Sequence, residues 1–372
     1  LSQKALQKYL IGITSLMLLI ILFFGLQPKG FYLYNNVKWL TNKKGMSFDK
    51  YSIAYTGPTF SSSHSNLSIE IALRPHSMDD NRYQFILIFH SGEDAQQLII
   101  GHWRSFLIVM NGDDYDGKKG TEKIVAADAL IYQKTRFVTI TSGEEGTKIY
   151  LDGVVAATNK DLKLKIPDSA MKARLVLGNS VYGRHYWSGD IYGLAIYRHT
   201  LTSEDVTLHF RKWSKMQNFS FAHDNTPEAL YLFDEKTGER VFDQAEEKHN
   251  LIVPFKMKIL KKEFLTPPWY DFRLDSPFIQ DVIINILGFI PFSFFLTALL
   301  DNISIYTKKQ SALLIVFICF TISITIEIIQ AWMPSRSSQM LDSVLNTLSA
   351  LSGVMVYRFS LFLYERYIRP EQ

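Results

Sequence analysis

Four stretches of this chain stay apolar for about the thickness of a bilayer, and they constrain its fold more than any other feature. They cover residues 9–26, 278–300, 312–332 and 341–363, and a spanning helix needs roughly 20 such residues. Lipid offers a backbone no hydrogen-bond partners, so each run is predicted to be a helix. One span precedes a long polar region and three follow it. The apolar content of 47% is that of an ordinary soluble protein, because it averages the spans with a middle region rich in charges and turn residues. QPKGFY follows the first run with no A-x-A-like cleavage site, so this run reads as an uncleaved anchor.

Basic residues set the orientation. Lys4 and Lys8 precede the first span, Lys308 and Lys309 separate the second from the third, and Arg358, Arg366 and Arg369 close the fourth. In a four-span chain all three sets fall on one side, which the positive-inside rule makes cytoplasmic. Both termini are then expected in the cytoplasm, with the middle region and the MPSRSSQ loop outside. The net charge is +4 and no basic stretch is interleaved with aromatics, so no nucleic-acid partner is expected. The single cysteine, Cys319, lies in the third span, so the exported region is expected to rest on its own core rather than on disulfides.

Between the spans the pattern changes to short strands: SFDKYSIAY, NLSIEIALRP, RYQFILIFH, QQLIIGHW, SFLIVMN, TRFVTIT, KIYLDGVVAA, ARLVLGN and GDIYGLAIYR. The breaks SGED, NGDDYDG, SGEEG and LDG carry the Gly, Asp and Asn that hairpins require. Short strands at this spacing predict an antiparallel β-sandwich. SEDVTLHFRKW follows as a helix with Ser203 as its expected N-cap. EALYLFDE and HNLIVPFKMKIL then either complete a sheet edge or form a small layer over the membrane, and TPPWYDFRLDSP is an extended linker. The fold class is thus mixed: a four-helix transmembrane bundle with a large extracytoplasmic sandwich of jelly-roll type between the first and second spans. The expected divisions are 1–44 (anchor and juxtamembrane segment), 45–215 (sandwich), 216–277 (strand-containing extension and linker) and 278–372 (three-helix membrane region).

SIEIALRP, KIYLDGVV and the ending SGDIYGLAIYRHTLTSEDV resemble the concanavalin A-like, laminin G type sandwich over roughly residues 45–250. The resemblance implies a binding or spacer module. Glycan hydrolases of that superfamily carry paired carboxylates on one strand, and glycoside hydrolysis needs two at a set separation. Here Glu70 stands alone in its strand, while Glu144 and Glu145 sit in a hairpin turn. Asp113, Asp114 and Asp116 in NGDDYDG offer oxygen ligands to a calcium ion, or else make an acidic turn. Tyr182, His185, Tyr186 and Trp187 in VYGRHYWSG offer rings to stack on a sugar, or else serve a core that uses such residues freely. No other cofactor is expected.

Ionisable side chains inside apolar runs are costly, which marks them as functional candidates. Asp281, Asn285, Gly288 and Phe292 fall at i, i+4, i+7 and i+11, one stripe of a helix. Asp342, Asn346, Ser349 and Gly353 repeat that spacing, and Glu327 shares a face with Gln330 in the third span. At 1.5 Å per residue, Glu327 lies about 8 Å below Trp332 and Asn346 about 6 Å below Asp342. Three helices are therefore expected to present acids and amides to one another near one membrane face, with Arg336 above them and Arg273 beside them. Pro291 is expected to kink the second span and open a wedge beside Asp281. Asp281, Glu327 and Asp342 together outnumber Arg336, so a retained proton or a bound cation must supply the balance. The plainer alternative is that these groups are interhelical hydrogen-bond glue.

The run D-x-x-x-N-I-L-G-F-I-P-F, then E-x-x-Q, a loop with P-x-R, and D-x-x-x-N before small residues and Gly resemble the VanZ-like family of bacterial membrane proteins. The motif positions carried over are Asp281, Asn285, Gly288, Pro291, Glu327, Gln330, Arg336, Asp342 and Asn346. The resemblance implies a small bundle in the bacterial cytoplasmic membrane, and the namesake of the family is tied to low-level teicoplanin resistance. The departure is the large sandwich where a compact member has a short loop. The expected function is binding of a lipid-linked glycan, a surface polysaccharide or a phosphate-bearing amphiphile among the membrane lipids. Its ligand residues are Asp281, Asn285, Glu327, Gln330, Arg336, Asp342 and Asn346. The alternatives are an enzyme using Glu327 or Asp342 as general base on a headgroup, and a membrane-anchored adhesin or scaffold.

Overall fold

The computed structural model describes residues 2–26, 33–61, 66–78, 83–115, 119–168, 171–216, 226–267, 276–333, 336 and 338–368. They divide into two compact units, Leu33–Lys261 and Leu1–Tyr32 with Lys262–Gln372. In chain order the first helix is α1 (Gln3–Leu26). The strands are β1 (Lys38–Trp39), β2 (Met46–Phe48), β3 (Ala54–Thr56), β4 (Leu67–Pro75), β5 (Gln84–His90), β6 (Leu98–Trp103), β7 (Phe106–Asn111), β8 (Lys123–Ala126), β9 (Arg136–Gly143), β10 (Gly146–Leu151), β11 (Val154–Asn159), β12 (Arg174–Leu177), β13 (Gly189–Tyr197), β14 (Ala229–Tyr231), β15 (Arg240–Val241) and β16 (Leu251–Ile252). Helix α2 (Ser203–Met216) lies between β13 and β14, and α3 (Ser276–Ile303), α4 (Lys308–Gln330) and α5 (Met340–Leu363) follow the strands.

The strands form two antiparallel sheets. One has the order β1-β2-β13-β4-β9-β10-β11, with β14 also pairing β13, and the other runs β15-β16-β3-β12-β5-β6-β7-β8. Phe48, Phe60, Phe89, Ile140, Leu175 and Trp187 are among the side chains filling the space between them. Of the two expected fates for the segments after α2, the structure shows completion of the sheets: β14 extends the first, while β15 and β16 edge the second.

The alternation in LSIEIALRP predicts a half-exposed strand, yet nearly all of β4 is buried. The reason is α2, whose Val206 and Trp213 pack on the outer face of the first sheet against Ala72, Phe137, Tyr150 and Tyr197. Each large apolar side chain so covered contributes roughly 1.5–3 kcal/mol. The polar residues on that face find partners instead of solvent. Ser68 donates to the His199 carbonyl at 2.8 Å, and Glu70 accepts from the Tyr197 hydroxyl at 2.7 Å while facing His209 Nδ1 of α2 at 3.1 Å. Glu70 is thus a core carboxylate with its partners supplied.

Three local expectations are corrected. KIYLDGVVAA is the hairpin β10–β11 rather than one strand, because Asp152 and Gly153 both take positive φ, 52° and 82°, as a two-residue hairpin turn needs. SFDKYSIAY splits at Tyr51 (φ 64°) into β2 and β3, which belong to different sheets. The residue capping α2 is Thr202 rather than Ser203: its hydroxyl accepts the Asp205 N–H at 3.1 Å, and the Asp205 carboxylate accepts the Thr202 N–H at 3.1 Å.

The other unit contains four helices long and apolar enough to cross a bilayer: Gln3–Leu26, Val282–Ile303, Lys308–Gln330 and Met340–Tyr367. The chain is a multi-span membrane protein. Ile21 of α1, Phe289, Phe292 and Leu296 of α3, Ile315, Cys319 and Ile326 of α4, and Ala350 and Val354 of α5 form its core. Pro291 lies within an α3 that continues on both sides of it. Helices α3 and α5 approach closely because Gly353 has no side chain. A Cβ there would stand 2.0 Å from Ser293 Oγ and 2.4 Å from the Ile290 carbonyl oxygen.

Candidate functional site in the membrane bundle

Helix α4 ends in IEIIQ, and its Glu327 is 2% exposed. A carboxylate removed from solvent needs hydrogen-bond donors, and this one draws them from the loop that returns to α5. Glu327 Oε2 accepts the backbone N–H of Gln339 at 2.7 Å, and the Ser338 hydroxyl is a second partner. Gln339 immediately precedes α5, so Glu327 satisfies a helix-end donor at the positive pole of the α5 dipole. Arg336 and Asp342 lie close enough for their charges to act on Glu327. Asp342 is in the first turn of α5, and Arg336 is half-buried in the loop.

One turn further along, the two helices meet again through polar groups. Asn346 Nδ2 donates to Ser323 Oγ at 2.9 Å, and Ser323, Ser343, Asn346 and Ser349 are all buried. Gln330 acts elsewhere: its Nε2 donates to the Gly25 carbonyl at 2.7 Å, one of the last carbonyls of α1, which no residue of that helix can satisfy. The segment before α3 clamps the same loop. Thr266 N–H and hydroxyl both donate to the Ser338 carbonyl at 2.9 Å, Met340 N–H donates to the Thr266 carbonyl at 3.1 Å, and Lys262 sits over the Trp332 ring.

The structure therefore gathers Glu327, Arg336 and Asp342 at the α4–α5 turn, and Asn346 just below them. Asn285 is half-buried in α3. Asp281 lies in the same helix with its side chain outside the described residues, as is all of Arg273. Ser338, Gln339 and Thr266 are the participants that the sequence reading missed. Gln339 acts through its backbone N–H, which leaves no residue signature, Thr266 acts through its backbone as well as its hydroxyl, and Ser338 is one serine in a loop that contains three.

A second network ties the opposite end of the bundle. Ser311 Oγ donates to Asp301 Oδ1 at 3.0 Å, and Arg358 donates to Ser311 Oγ at 3.1 Å and to the Lys308 carbonyl, joining α3, α4 and α5.

In the sandwich, Asp114 accepts the N–H groups of Lys119 and Thr121 at 2.9 and 3.1 Å, with Lys123 Nζ at 3.4 Å, and Asp113 pairs with Lys119 Nζ at 2.6 Å. Burial acts to raise the Asp114 carboxyl, but these donors hold it below the usual range. At Asp113 and Asp114 the carboxylate oxygens are thus already turned to N–H groups and ammonium ions. Asp116 lies outside the described residues. Glu144 and Glu145 are solvated, each paired with a lysine.

Of the four aromatic candidates, Trp187 is corrected to a core residue: it is fully buried and its indole N–H donates to His102 Nδ1 at 3.2 Å, leaving no face for a sugar. Tyr182, His185 and Tyr186 are half-buried. Tyr182 donates to Asp94 at 2.5 Å beside His90 and Lys261. Burial works to raise the Asp94 carboxyl, yet the bonds from His90, Tyr182 and Lys261 bring it down to about 2. His185 stacks on Phe85 with ring centroids 4.5 Å apart.

Residues 229–363 match the VanZ/LLP1 family, from β14 through α5, and residues 49–207 match the concanavalin A-like lectin/glucanases superfamily in its laminin G form. This chain carries a VanZ/LLP1 region with a concanavalin A-like lectin domain inserted ahead of it. The lectin-type domain separates the first helix from the three helices of the VanZ/LLP1 region. No curated protein matches the chain. Among solved structures, a candidate carbohydrate-binding protein from Bacteroides ovatus aligns at 15% identity and a TM-score of 0.41, over 60% of this chain and 62% of its own length. The CBM40 module of the Ruminococcus gnavus IT-sialidase, bound to α2,3-sialyllactose, aligns at 12% identity and 0.34, over 46% of this chain and 95% of the module. The binding domain of botulinum neurotoxin DC aligns at 19% and 0.37, over 48% of this chain and 45% of that one. Likeness of this order bears on neither ligand nor activity.

Proposed function

We propose that this protein is a non-enzymatic component of the bacterial envelope that binds a phosphate-bearing amphiphile, such as a lipid-linked glycan, at the α4–α5 turn. The carrying observation is Arg336, half-buried in the loop between two membrane helices and close to the buried Glu327 of α4 and the half-buried Asp342 of α5. A guanidinium suits phosphate because its planar fork donates to two oxygens at once. Lys and Arg bias puts this loop and the lectin-type domain on the extracytoplasmic side, where the headgroups of outer-leaflet lipids lie. The lectin-type match supports a saccharide as the second part of the ligand, with Tyr182, His185 and Tyr186 as its contacts. Glu327 and Asp342 position the loop and take no proton from substrate.

The test is retention of labelled undecaprenyl-linked glycan by purified protein in nanodiscs. Arg336→Ala is expected to lower retention at least tenfold, the scale of one lost charge-assisted pair. Equal retention by wild type and variant removes the reading.

A further inference from the structure

The second sheet has an outer face, turned away from the first, and the two ends of the lectin-type domain cover it. Tyr55, Ile88, Ile99 and Val176 lie on that face, and Leu33, Met257 and Leu260 pack on them. The chain enters and leaves the domain there as a short antiparallel pair. Asn35 N–H donates to the Phe255 carbonyl at 3.1 Å, Met257 N–H donates to the Leu33 carbonyl at 2.9 Å, and Tyr34 bridges Lys256. While Leu33 and Met257 turn to the sheet, Tyr34 and Phe255 are 61% and 64% exposed, and their rings meet edge to face with centroids 5.2 Å apart. Ile252, paired with Tyr55 in the sheet, is 39% exposed. Large apolar side chains grouped in this way mark an interaction surface.

Cations flank the patch. Lys258 Nζ and Arg174 Cζ stand 5.6 and 5.8 Å from the centre of the Tyr55 ring, and Arg240 lies across from Ile252. Lys50 Nζ is 5.0 Å from the Tyr51 ring, and its carbonyl accepts from Asn36, two residues beyond Tyr34. The neighbouring acids are Asp49 before Lys50, Glu239 before Arg240, and Asp94, which is bonded to His90, Tyr182 and Lys261. The basic groups outnumber them, so the surface is positive.

Chain connectivity decides what this surface meets. Six residues separate Leu33 from Leu26, the last of α1, and at roughly 3.6 Å per residue they keep Leu33 within about 25 Å of that helix end. Lys261 is five residues before Thr266, a reach of about 18 Å, and Thr266 is bonded to Ser338 and Met340 at the α4–α5 turn. Both tethers lead to one end of the membrane helices, because Gln330 of α4 donates to the Gly25 carbonyl of α1. A bilayer surface lies within that reach. Aromatic rings suit its headgroup layer, and Lys and Arg side chains are drawn to anionic headgroups.

We infer that this face of the lectin-type domain docks on the bilayer surface, with Tyr34, Ile252 and Phe255 entering the headgroup layer and Lys50, Arg174, Arg240 and Lys258 meeting anionic phospholipid. Docking holds the domain against the membrane instead of leaving it to swing on its two connections. Part of the attraction is between exposed charges, so it weakens in salt.

The experiment uses the full chain in nanodiscs without lipid-linked ligand. A bimane label on Ile252→Cys in a Cys319→Ala background is compared with one on Glu145→Cys, exposed in the turn between β9 and β10 of the other sheet. The readout is quenching by lipids spin-labelled at the headgroup. With phosphatidylglycerol in the disc, the label at 252 is expected to be quenched at least twofold more than the label at 145. Replacing phosphatidylglycerol with phosphatidylcholine is expected to halve that excess or better, and so is Lys50→Glu combined with Lys258→Glu, both exposed lysines outside the core. Equal quenching at the two positions, or an excess that is the same in both lipids, overturns the inference. The lipid comparison needs no charge-reversed variant, so it decides the matter even where reversal impairs folding. Arg336 takes no part in this measurement, so the two proposals fail separately.

Discussion

His102 stands in β6 with no exposure, accepting the Trp187 indole N–H on Nδ1 and donating from Nε2 to the Arg104 carbonyl at 2.5 Å. Both ring nitrogens are therefore used by one neutral tautomer, and protonation would set one N–H against another. Burial lowers the group from 6.5 to about 4, while the bond to the Arg104 carbonyl works the other way. The folded value lies below the unfolded one, so this stabilising contribution is complete above pH 6.5 and is lost as pH falls toward 4. The loss is on the order of 3 kcal/mol. Denaturant unfolding of the full chain in nanodiscs at pH 7 and pH 4.5 is expected to show this decline in wild type and a shallower one in His102→Gln. Parallel declines would contradict the assignment. Glu327 was legible in the sequence because a carboxyl in an apolar run needs a reason to be there. Trp187 was not, because an aromatic at a strand end looks the same whether it faces solvent or core, and only the fold placed His102 beneath it.

Among the elements, helix α5 shows why small residues recur at helical spacing. Ser343, Asn346, Ala350 and Gly353 line its buried side, and Gly353 marks where α3 passes closest. Adding one methyl there forces the helices apart or shifts Ser293, at a cost of roughly 1–3 kcal/mol for overpacking. Gly353→Ala is expected to lower the Tm of the detergent-solubilised protein, whereas Gly12→Ala, where nothing lies within 4 Å, is expected to leave it nearly unchanged. Equal effects would show that α3 and α5 do not meet at Gly353. The spans and most strands were readable from apolar run length and turn residues. What the sequence hid was the covering of the first sheet by α2, which makes β4 and β13 buried on both faces although LSIEIALRP alternates. Strand alternation reports what one sheet face meets and is blind to a helix laid on the other.

For the molecule as a whole, the order of parts is one helix, a lectin-type sandwich and a VanZ/LLP1 region of three helices. Segregation of apolar residues in the sequence already implied this order, and at the α4–α5 turn Arg336 and Asp342 lie close enough to Glu327 for their charges to act on it. The contribution of α3 rests on Asp281, whose side chain is outside the described residues. Binding of an outer-leaflet amphiphile at the α4–α5 turn requires that turn to lie at the extracytoplasmic surface, a placement drawn from the Lys and Arg bias. The direct test is accessibility of a single cysteine at that turn, Arg336→Cys in a Cys319→Ala background, to a membrane-impermeant maleimide. Labelling in intact cells, with Lys308→Cys labelled only in inverted vesicles, is the predicted result. Labelling of Arg336→Cys in inverted vesicles alone would contradict it.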